Sequence, residues 1–435
     1  MWTTSSTVES RMRIAIIGAG IGGLAAALSL HAIGETDIRV YDRVSELRAL
    51  GVGINLLPHA MRELTELGLA DRVEQKGVAP STLAYFNRFG QPIWSEPRGR
   101  EAGYRWPQVS VHRGELQLVL ADAVRRRLGD DALQLGHRLV RVEEGADAAA
   151  AVFARAEGEA SVAADLVVAA DGIHSAVRAS RYPGEGAPIW NGLTLWRGTA
   201  RVPAYLDGRT MIMAGDGEQK FVAYPLGAPD ADGLARVNFI AERRGVGAET
   251  VDWNLAVDAG PIVELFRDWS FAWLDVPALI AAADELLEYP MVDRDPIPQW
   301  TFGRTTLLGD AAHPMYPNGS NGASQAIIDA RTLAFHVATA ESPADALAAY
   351  EADRRPVTSE LVLSNRQQGP ERVMLLAHER APEGFADIHD VISADELAEI
   401  SAGYKRAAGF HPDLLNERPS LTAPSPIPPS PTPPR

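Results

Sequence analysis

The chain has 435 residues, 46% of them hydrophobic and 23% charged, which suits a soluble globular protein of roughly two or three domains. A formal charge of −16 disfavours nucleic acid or an anionic membrane surface as a partner, because either would repel the molecule as a whole. The absence of cysteine excludes disulfides, thiolate metal sites and cysteine nucleophiles.

Residues 1–10 are polar and are expected to be disordered. An apolar strand over 12–17 then runs into Gly18-Ala19-Gly20-Ile21-Gly22-Gly23 and a helical run over 24–30. This layout builds a pyrophosphate site: Gly18 permits the tight turn, Gly20 lets backbone approach phosphate, and Gly23 lets helix and strand pack closely. The anion then rests on the amides of a helix N-terminus. A second strand, 38–42, ends in Asp42, where a ribose hydroxyl needs an acceptor. One nucleotide-bearing cofactor is therefore expected. Residues 14–30, with Arg11 and Arg13 in front, imitate a signal peptide, but the embedded glycines fit the strand-turn-helix reading better. No other segment is long enough to cross a bilayer, and a cytoplasmic location is expected.

A helix is expected over 58–67, then a hairpin-like excursion around Tyr85, Phe86 and Gly90. Another helix follows over 114–128, with Leu116, Leu120, Ala123, Val124 and Leu128 at helical spacing. Strands over 139–143 and 152–155 precede a buried-looking strand at 165–170. Short alternating strands at 193–197, 210–213, 220–224 and 236–240 then predict an antiparallel sheet. A strand at 305–308 and a helix over 322–339 return to the first unit, residues 343–368 and 395–408 are mostly helical, and the proline-rich end, 419–435, is expected to be a disordered tail. The expected fold is α/β: a discontinuous Rossmann-like nucleotide-binding domain (11–78, 108–185, 290–340), an inserted antiparallel-sheet domain (79–107, 186–289) and a C-terminal helical segment (341–410).

The glycine turn alone does not separate NAD from FAD, but two further segments do. One is a strand leading into Asp171-Gly172-Ile-His-Ser-Ala-Val-Arg178. The other is a strand followed by Gly309-Asp310-Ala-Ala-His313-Pro314 and a Pro/Asn/Gly-rich loop ending in a helix. With these motifs in this order, the chain resembles the single-component FAD-dependent aromatic monooxygenases, the para-hydroxybenzoate hydroxylase-like family. It is most similar to the phenazine-hydroxylating branch, through residues 50–55, 94–99, 111–117, 171–178, 195–198 and 289–296. The resemblance spans about residues 12–370, and the absence of cysteine excludes the dithiol flavin reductases, which share the glycine turn.

The resemblance implies an NAD(P)H- and O2-dependent FAD monooxygenase that hydroxylates a planar, phenazine-like or polyketide-like aromatic through a flavin C4a-hydroperoxide. Gly18, Ala19, Gly20, Ile21, Gly22, Gly23, Asp42 and Leu139 would hold the adenosine and pyrophosphate side of FAD. Asp42 stands where the family commonly has Glu. Arg113 would reach the flavin side, Asp310 would take a ribityl hydroxyl, and Asp171 would brace the turn shared with the nicotinamide nucleotide, unless it merely caps that turn. Val52, Gly53, Gly309, Pro317, Gly322 and Ala323 would border the flavin, where free helix amides face the charge of its reduced form. No second GxGxxG exists, so NAD(P)H would dock transiently, with Arg43 and Arg48 as candidates that equally fit solvated surface charges.

The implied substrate pocket takes Trp196, Arg197, Met211, Met213, Phe221, Tyr224 and Pro314, although half of the residues in an alternating strand face elsewhere. Tyr224 is the one weak catalytic candidate, helping to ionise a phenol or simply packing. His313 is expected to be a packed, hydrogen-bonded histidine, and no metal-ligand spacing occurs. A halogenase, or an epoxidase or Baeyer-Villiger variant on the same fold, and a non-catalytic flavin-binding partner protein are the alternatives; residues 271–277 do not fit the halogenase WxWxIP segment. Oligomeric state, monomer or homodimer, is open.

Overall fold

The computed structural model describes residues 12–245, 255–367 and 369–422. The expected disordered N-terminus and most of the proline-rich tail lie outside the described residues. The first residues of that tail are ordered: Thr422 accepts a hydrogen bond from Arg331 at 2.7 Å and donates one to Glu66 at 2.7 Å.

The first sheet has six strands in the order Thr301–Phe302, Thr305–Leu307, Leu166–Ala169, Ile14–Ile17, Ile38–Tyr41 and Leu133–Gln134. It is parallel except at the Thr301–Phe302 edge. Ile14 sits opposite both Ile38 and Leu166, and the central strands are buried on both faces, which is why they read as continuous apolar runs. Helices Ile21–Ala32, Arg113–Leu128 and Gly322–Thr339 pack with the sheet in one core. Residues 138–164 form a three-stranded antiparallel sheet that adds Leu139 and Phe153 to this core.

The second sheet has eight strands, ordered Leu255–Ala256, Ala283–Asp293, Ile189–Pro203, Leu234–Arg244, Gln219–Pro225, Thr210–Gly215, Thr82–Phe86 and Pro92–Pro97. It departs from the expected all-antiparallel pattern at one join, where Thr210–Gly215 runs parallel to Thr82–Phe86. The excursion at 82–97 is thereby built into this sheet rather than standing apart. One face packs on helices Ala259–Leu265 and Val276–Ala281; the other looks towards the first sheet and the C-terminal helix Arg372–Arg380.

The C-terminal segment serves both layers. Helix Pro343–Arg366 is tied to the first sheet, because Tyr350 donates to the Leu307 carbonyl at 3.1 Å and Glu351 accepts from the Trp300 and Thr301 amides at 2.9 and 2.8 Å. Arg372–Arg380, absent from the expected elements, instead lays Val373 and Met374 on the second sheet. No helix among the described residues is long and apolar enough to cross a membrane.

Candidate functional site

The glycine turn divides its labour by packing. A Cβ on Gly18 would lie 2.3 Å from the Ala170 carbonyl oxygen, one on Gly23 1.9 Å from the Gly18 oxygen, and one on Gly22 2.9 Å from Leu308. At Gly20 nothing lies within 4 Å. Gly18 and Gly23 are thus required by the protein's own backbone and Gly22 by the Leu308 side chain, whereas Gly20 opens onto a cavity and starts helix Ile21–Ala32 with no side-chain cap. Asp42 Oδ2 accepts from the Ala19 amide at 2.7 Å, fixing the turn to the end of the second strand. Gln117, which sequence reasoning did not single out, closes the turn from the other side by donating to the Ala19 carbonyl at 2.7 Å.

The cavity, about 320 Å³, runs from Gly20, Ile21 and Gly22 past Arg113 to residues 308–326. Gly172 and Gly322 resemble Gly20: a Cβ at Gly172 meets nothing within 4 Å, and one at Gly322 meets only Asp310 Oδ1, at 4.0 Å. Asp171 Oδ2 accepts from the Ala176 amide at 2.8 Å, so it does cap its turn, and burial raises its pKa. Asp310 sits deep among protein atoms yet faces the open cleft; desolvation raises its pKa against the pull of His313 and Arg113. Arg113, at the start of helix Arg113–Leu128, has its guanidinium over Gly51.

The loop that carries Asp310 is held from behind. His313 Nε2 meets Asp329 Oδ2 at 2.6 Å, the Gly309 amide donates to the same oxygen at 3.1 Å, and Arg354 Nε donates to Oδ1 at 2.7 Å. His313 is therefore the packed, hydrogen-bonded histidine its motif suggests. Burial opposes the charge on Asp329, but His313 and Arg354 outweigh it and lower its pKa to about 2. Further along, Asn321 donates to the Tyr404 hydroxyl at 2.8 Å, and a Cβ on Gly319 would lie 2.0 Å from that oxygen. Helix Ala394–Ala407 thus buttresses the loop where Ser320 adopts φ +58°, a conformation disfavoured for a non-glycine residue.

The third wall is one face of the second sheet. Register sets Met213 opposite Val222, Lys220 opposite Glu242 and Arg197 opposite Ile240, and these side chains with Met211 and Tyr224 form the face turned to the first sheet. Arg197, Met211, Met213 and Tyr224 line the cavity as expected, joined by Val222, Ile240 and Glu242. Trp196 and Phe221 do not. A strand alternates faces, so Trp196 turns away and donates to Glu288 at 2.8 Å, while Phe221, fully buried, stacks on Phe239 at 5.7 Å in the opposite core.

The sheet clamps Gly53, whose amide donates to Asn238 Oδ1 at 2.6 Å and whose carbonyl accepts from Tyr224 Oη at 2.7 Å and Arg197 Nη2 at 3.0 Å. The Tyr224 hydroxyl is thereby committed to structure, and burial pushes its pKa up to about 12. Arg197 Nε remains buried without a hydrogen-bond partner.

Several expected contacts lie elsewhere. Leu139 is 8% exposed in the core and faces Phe153 across its strand, away from the cavity. Val52 is buried beside the wall, its carbonyl taken by the Arg113 amide at 2.9 Å, and buried Pro314 yields the lining position to Met315. Arg48 is exposed and paired with Glu46 at 2.8 Å. Arg43 is exposed and lies close enough to His174, in the Asp171 turn, to lower its pKa after burial and Arg294. The open space at Gly20, Gly172 and Gly322, the Asp310 carboxylate and the uncapped helix start together fit an elongated dinucleotide, while Asp42 lies off the cavity wall behind the turn it braces.

Residues 11–195 and 291–364 match the FAD binding domain family. The chain is 41% identical over 408 residues to a phenazine 1,6-dicarboxylic acid hydroxylase of Lysobacter antibioticus, covering 92% of this chain and 98% of that protein. It is 35% identical to 3-amino-4-hydroxybenzoate 2-monooxygenase of Streptomyces cremeus, over 81% of this chain and 86% of that protein. Among solved structures, Klebsiella pneumoniae HpxO complexed with FAD and uric acid superposes with a TM-score of 0.70 at 28% identity, covering 91% of this chain and 92% of that one.

Proposed function

The chain belongs to the FAD-dependent aromatic monooxygenases built on the FAD binding domain, and on that premise we propose that it uses NAD(P)H and O2 to hydroxylate a planar, carboxylated, phenazine-like aromatic. The observation that carries the substrate class is the sheet wall. Met211, Met213, Val222 and Ile240 form an apolar surface for a flat ring, and beside them the half-buried Arg197 keeps a buried Nε unpartnered. A carboxylate there gains a charge-assisted hydrogen bond and relieves a buried donor. The named activity of the Lysobacter relative supports the same class.

The chain's own residues bind, orient and exclude water. Gly20 and the start of helix Ile21–Ala32 would receive the FAD pyrophosphate, Asp42 the adenosine ribose and Asp310 a ribityl hydroxyl. The first amides of helix Gly322–Thr339 have no side-chain cap and would face negative charge on the ring system. When bound, FAD supplies acceptance of hydride from NAD(P)H and activation of O2 for electrophilic oxygen transfer. The two methionines adapt to the ring and keep water off it. We place the docking of NAD(P)H at Arg43 and the Asp171 turn, and a reaction drawing on NAD(P)H suits the cytoplasm.

The test is a purified, FAD-loaded protein titrated with phenazine carboxylates. NAD(P)H oxidation should accelerate with substrate, and labelled O2 should deliver one oxygen atom to the product. Turnover that persists without O2, or no acceleration by any carboxylated fused aromatic, overturns the reading.

A further inference from the structure

Lys220, Glu242 and Glu371 form a buried charged cluster that the cofactor and ring-binding roles leave unused. Lys220 and Glu242 are cross-strand partners on the cavity face, with Nζ 2.9 Å from Glu242 Oε2, and Lys220 also donates to Glu371, which arrives from beyond helix Pro343–Arg366. All three side chains are at most 8% exposed. Two carboxylates facing one ammonium leave an excess negative charge in a dry place, which is costly unless a proton or a ligand relieves it.

The cluster's position gives it a use. Glu242 and Glu371 line the substrate cavity, and both also line a second cavity of about 330 Å³ on the other side. That second cavity has a mixed wall, with Asn191, Asp216, Gln219 and Arg244 beside Leu193, Met291 and Met374, and reaches the surface at Ile189, which is 42% exposed. The cluster is thus the partition between the ring site and a second cavity that carries polar groups outwards.

We propose that Glu242, held by Lys220 beside Glu371, accepts the proton released in the substrate cavity on hydroxylation and gives it up to water in the second cavity, which Glu242 also lines. This inference rests on the monooxygenase reading above. Electrophilic oxygen transfer from O2, with NAD(P)H as reductant, leaves the attacked ring carbon bearing both hydrogen and the new oxygen. The C–H bond then breaks, its electron pair restores aromaticity, and the proton goes to the Glu242 carboxylate. Burial first, and Glu371 after it, raise the pKa of Glu242 against the pull of Lys220 and Arg197, so a proton is held and released near neutrality rather than in acid. The charged groups facing Glu242 are Lys220, Glu371 and Arg197, with Arg244 and Asp216 across the second cavity and Arg366 beyond, tied to Asp293 at 2.7 Å.

The experiment is a single turnover of reduced, FAD-loaded, substrate-bound protein mixed with O2 across pH, comparing wild type with Glu242→Gln. In wild type the hydroxylation phase should depend on pH; in the variant it should be about 100-fold slower and flat with pH, while flavin reduction by NAD(P)H stays within about 2-fold. An unchanged rate and pH profile in E242Q, alongside a hydroxylating wild type, overturns the relay alone; a wild type that does not hydroxylate overturns both readings. Should E242Q not yield folded holoprotein, Glu371→Gln carries the test. A shifted pH profile with flavin reduction intact supports the relay, and an unshifted one overturns it.

Discussion

The Tyr224 hydroxyl donates to the Gly53 carbonyl at 2.7 Å, joining the second sheet to the start of strand Gly53–Leu56, which borders the proposed flavin site. The bond is buried, and the adjacent Asn238 and Arg197 bonds make Gly53 a three-point attachment. Tyr224→Phe removes one of the three points, so it should cost about 1 kcal/mol of holoprotein stability and leave flavin content intact. Gly53→Ala is more severe, because its Cβ would lie 2.7 Å from Asn238 Cβ and 2.8 Å from Leu226. Overpacking of this kind costs about 1–3 kcal/mol. Thermal unfolding and FAD titration of the two variants check both; a Tyr224→Phe protein that no longer retains FAD contradicts the assignment.

Gly20 and Gly23 belong to one motif but answer to different constraints. An alanine at Gly23 collides with the Gly18 carbonyl, so the fold should suffer before any ligand is considered. An alanine at Gly20 meets nothing within 4 Å, so the apoprotein should unfold within a few degrees of wild type while the Kd for FAD rises by about 10-fold or more. Differential scanning calorimetry of apoprotein and a flavin-fluorescence titration separate the two. Equal FAD affinity in Gly20→Ala and wild type counts against a pyrophosphate at this turn.

Trp196 and Arg197 are neighbours in sequence and opposites in role. Arg197→Met should raise KM for a carboxylated substrate by roughly 10- to 100-fold with a smaller change in kcat, the signature of a lost charge-assisted hydrogen bond that serves binding. Trp196→Phe loses the bond to Glu288 and some packing, so it should lower thermal stability and leave KM near wild type. Steady-state kinetics test the KM contrast and thermal unfolding the stability loss, and a KM effect larger at Trp196 than at Arg197 reverses the assignment of faces.

That pair shows what was legible in the sequence and what was not. The glycine turn, the order of the Asp171 and Asp310 motifs and the alternating strands carry local signals, and the two-sheet α/β architecture follows from them. Which residues of an alternating strand face the cavity is set by register with strands distant in sequence, so Trp196 and Phe221 read as well as Arg197 and Tyr224. The packing of Leu139 is hidden for the same reason: contact with a core partner such as Phe153 leaves no local trace. Two residues that matter, Glu242 and Asp329, did leave a faint mark, each a carboxylate at the end of or within an apolar run, Phe239-Ile-Ala-Glu242 and Ile327-Ile-Asp329. Their partners Lys220, Glu371, His313 and Arg354 come together only in the fold.

The Asp329 network predicts a specific acid response. In the folded chain its pKa is lowered to about 2 by His313 and Arg354 against the cost of burial, from an ordinary 3.8. A carboxylate depressed on folding contributes stability above its unfolded value and loses it as pH falls through the folded one. The contribution should be about 2 kcal/mol at neutral pH, about half of that at pH 3, and nearly absent below pH 2. Asp329→Asn cannot titrate and leaves buried Arg354 without a carboxylate partner, so at pH 7 it should be destabilised by about 3–5 kcal/mol. The gap between wild type and variant should narrow through the window from about pH 4 to pH 2, because protonation takes from wild type what the substitution has already removed. Urea unfolding of both proteins at pH 7, 4 and 3 measures it, and a gap constant across those values means that the carboxylate charge does not hold the Asp310 loop.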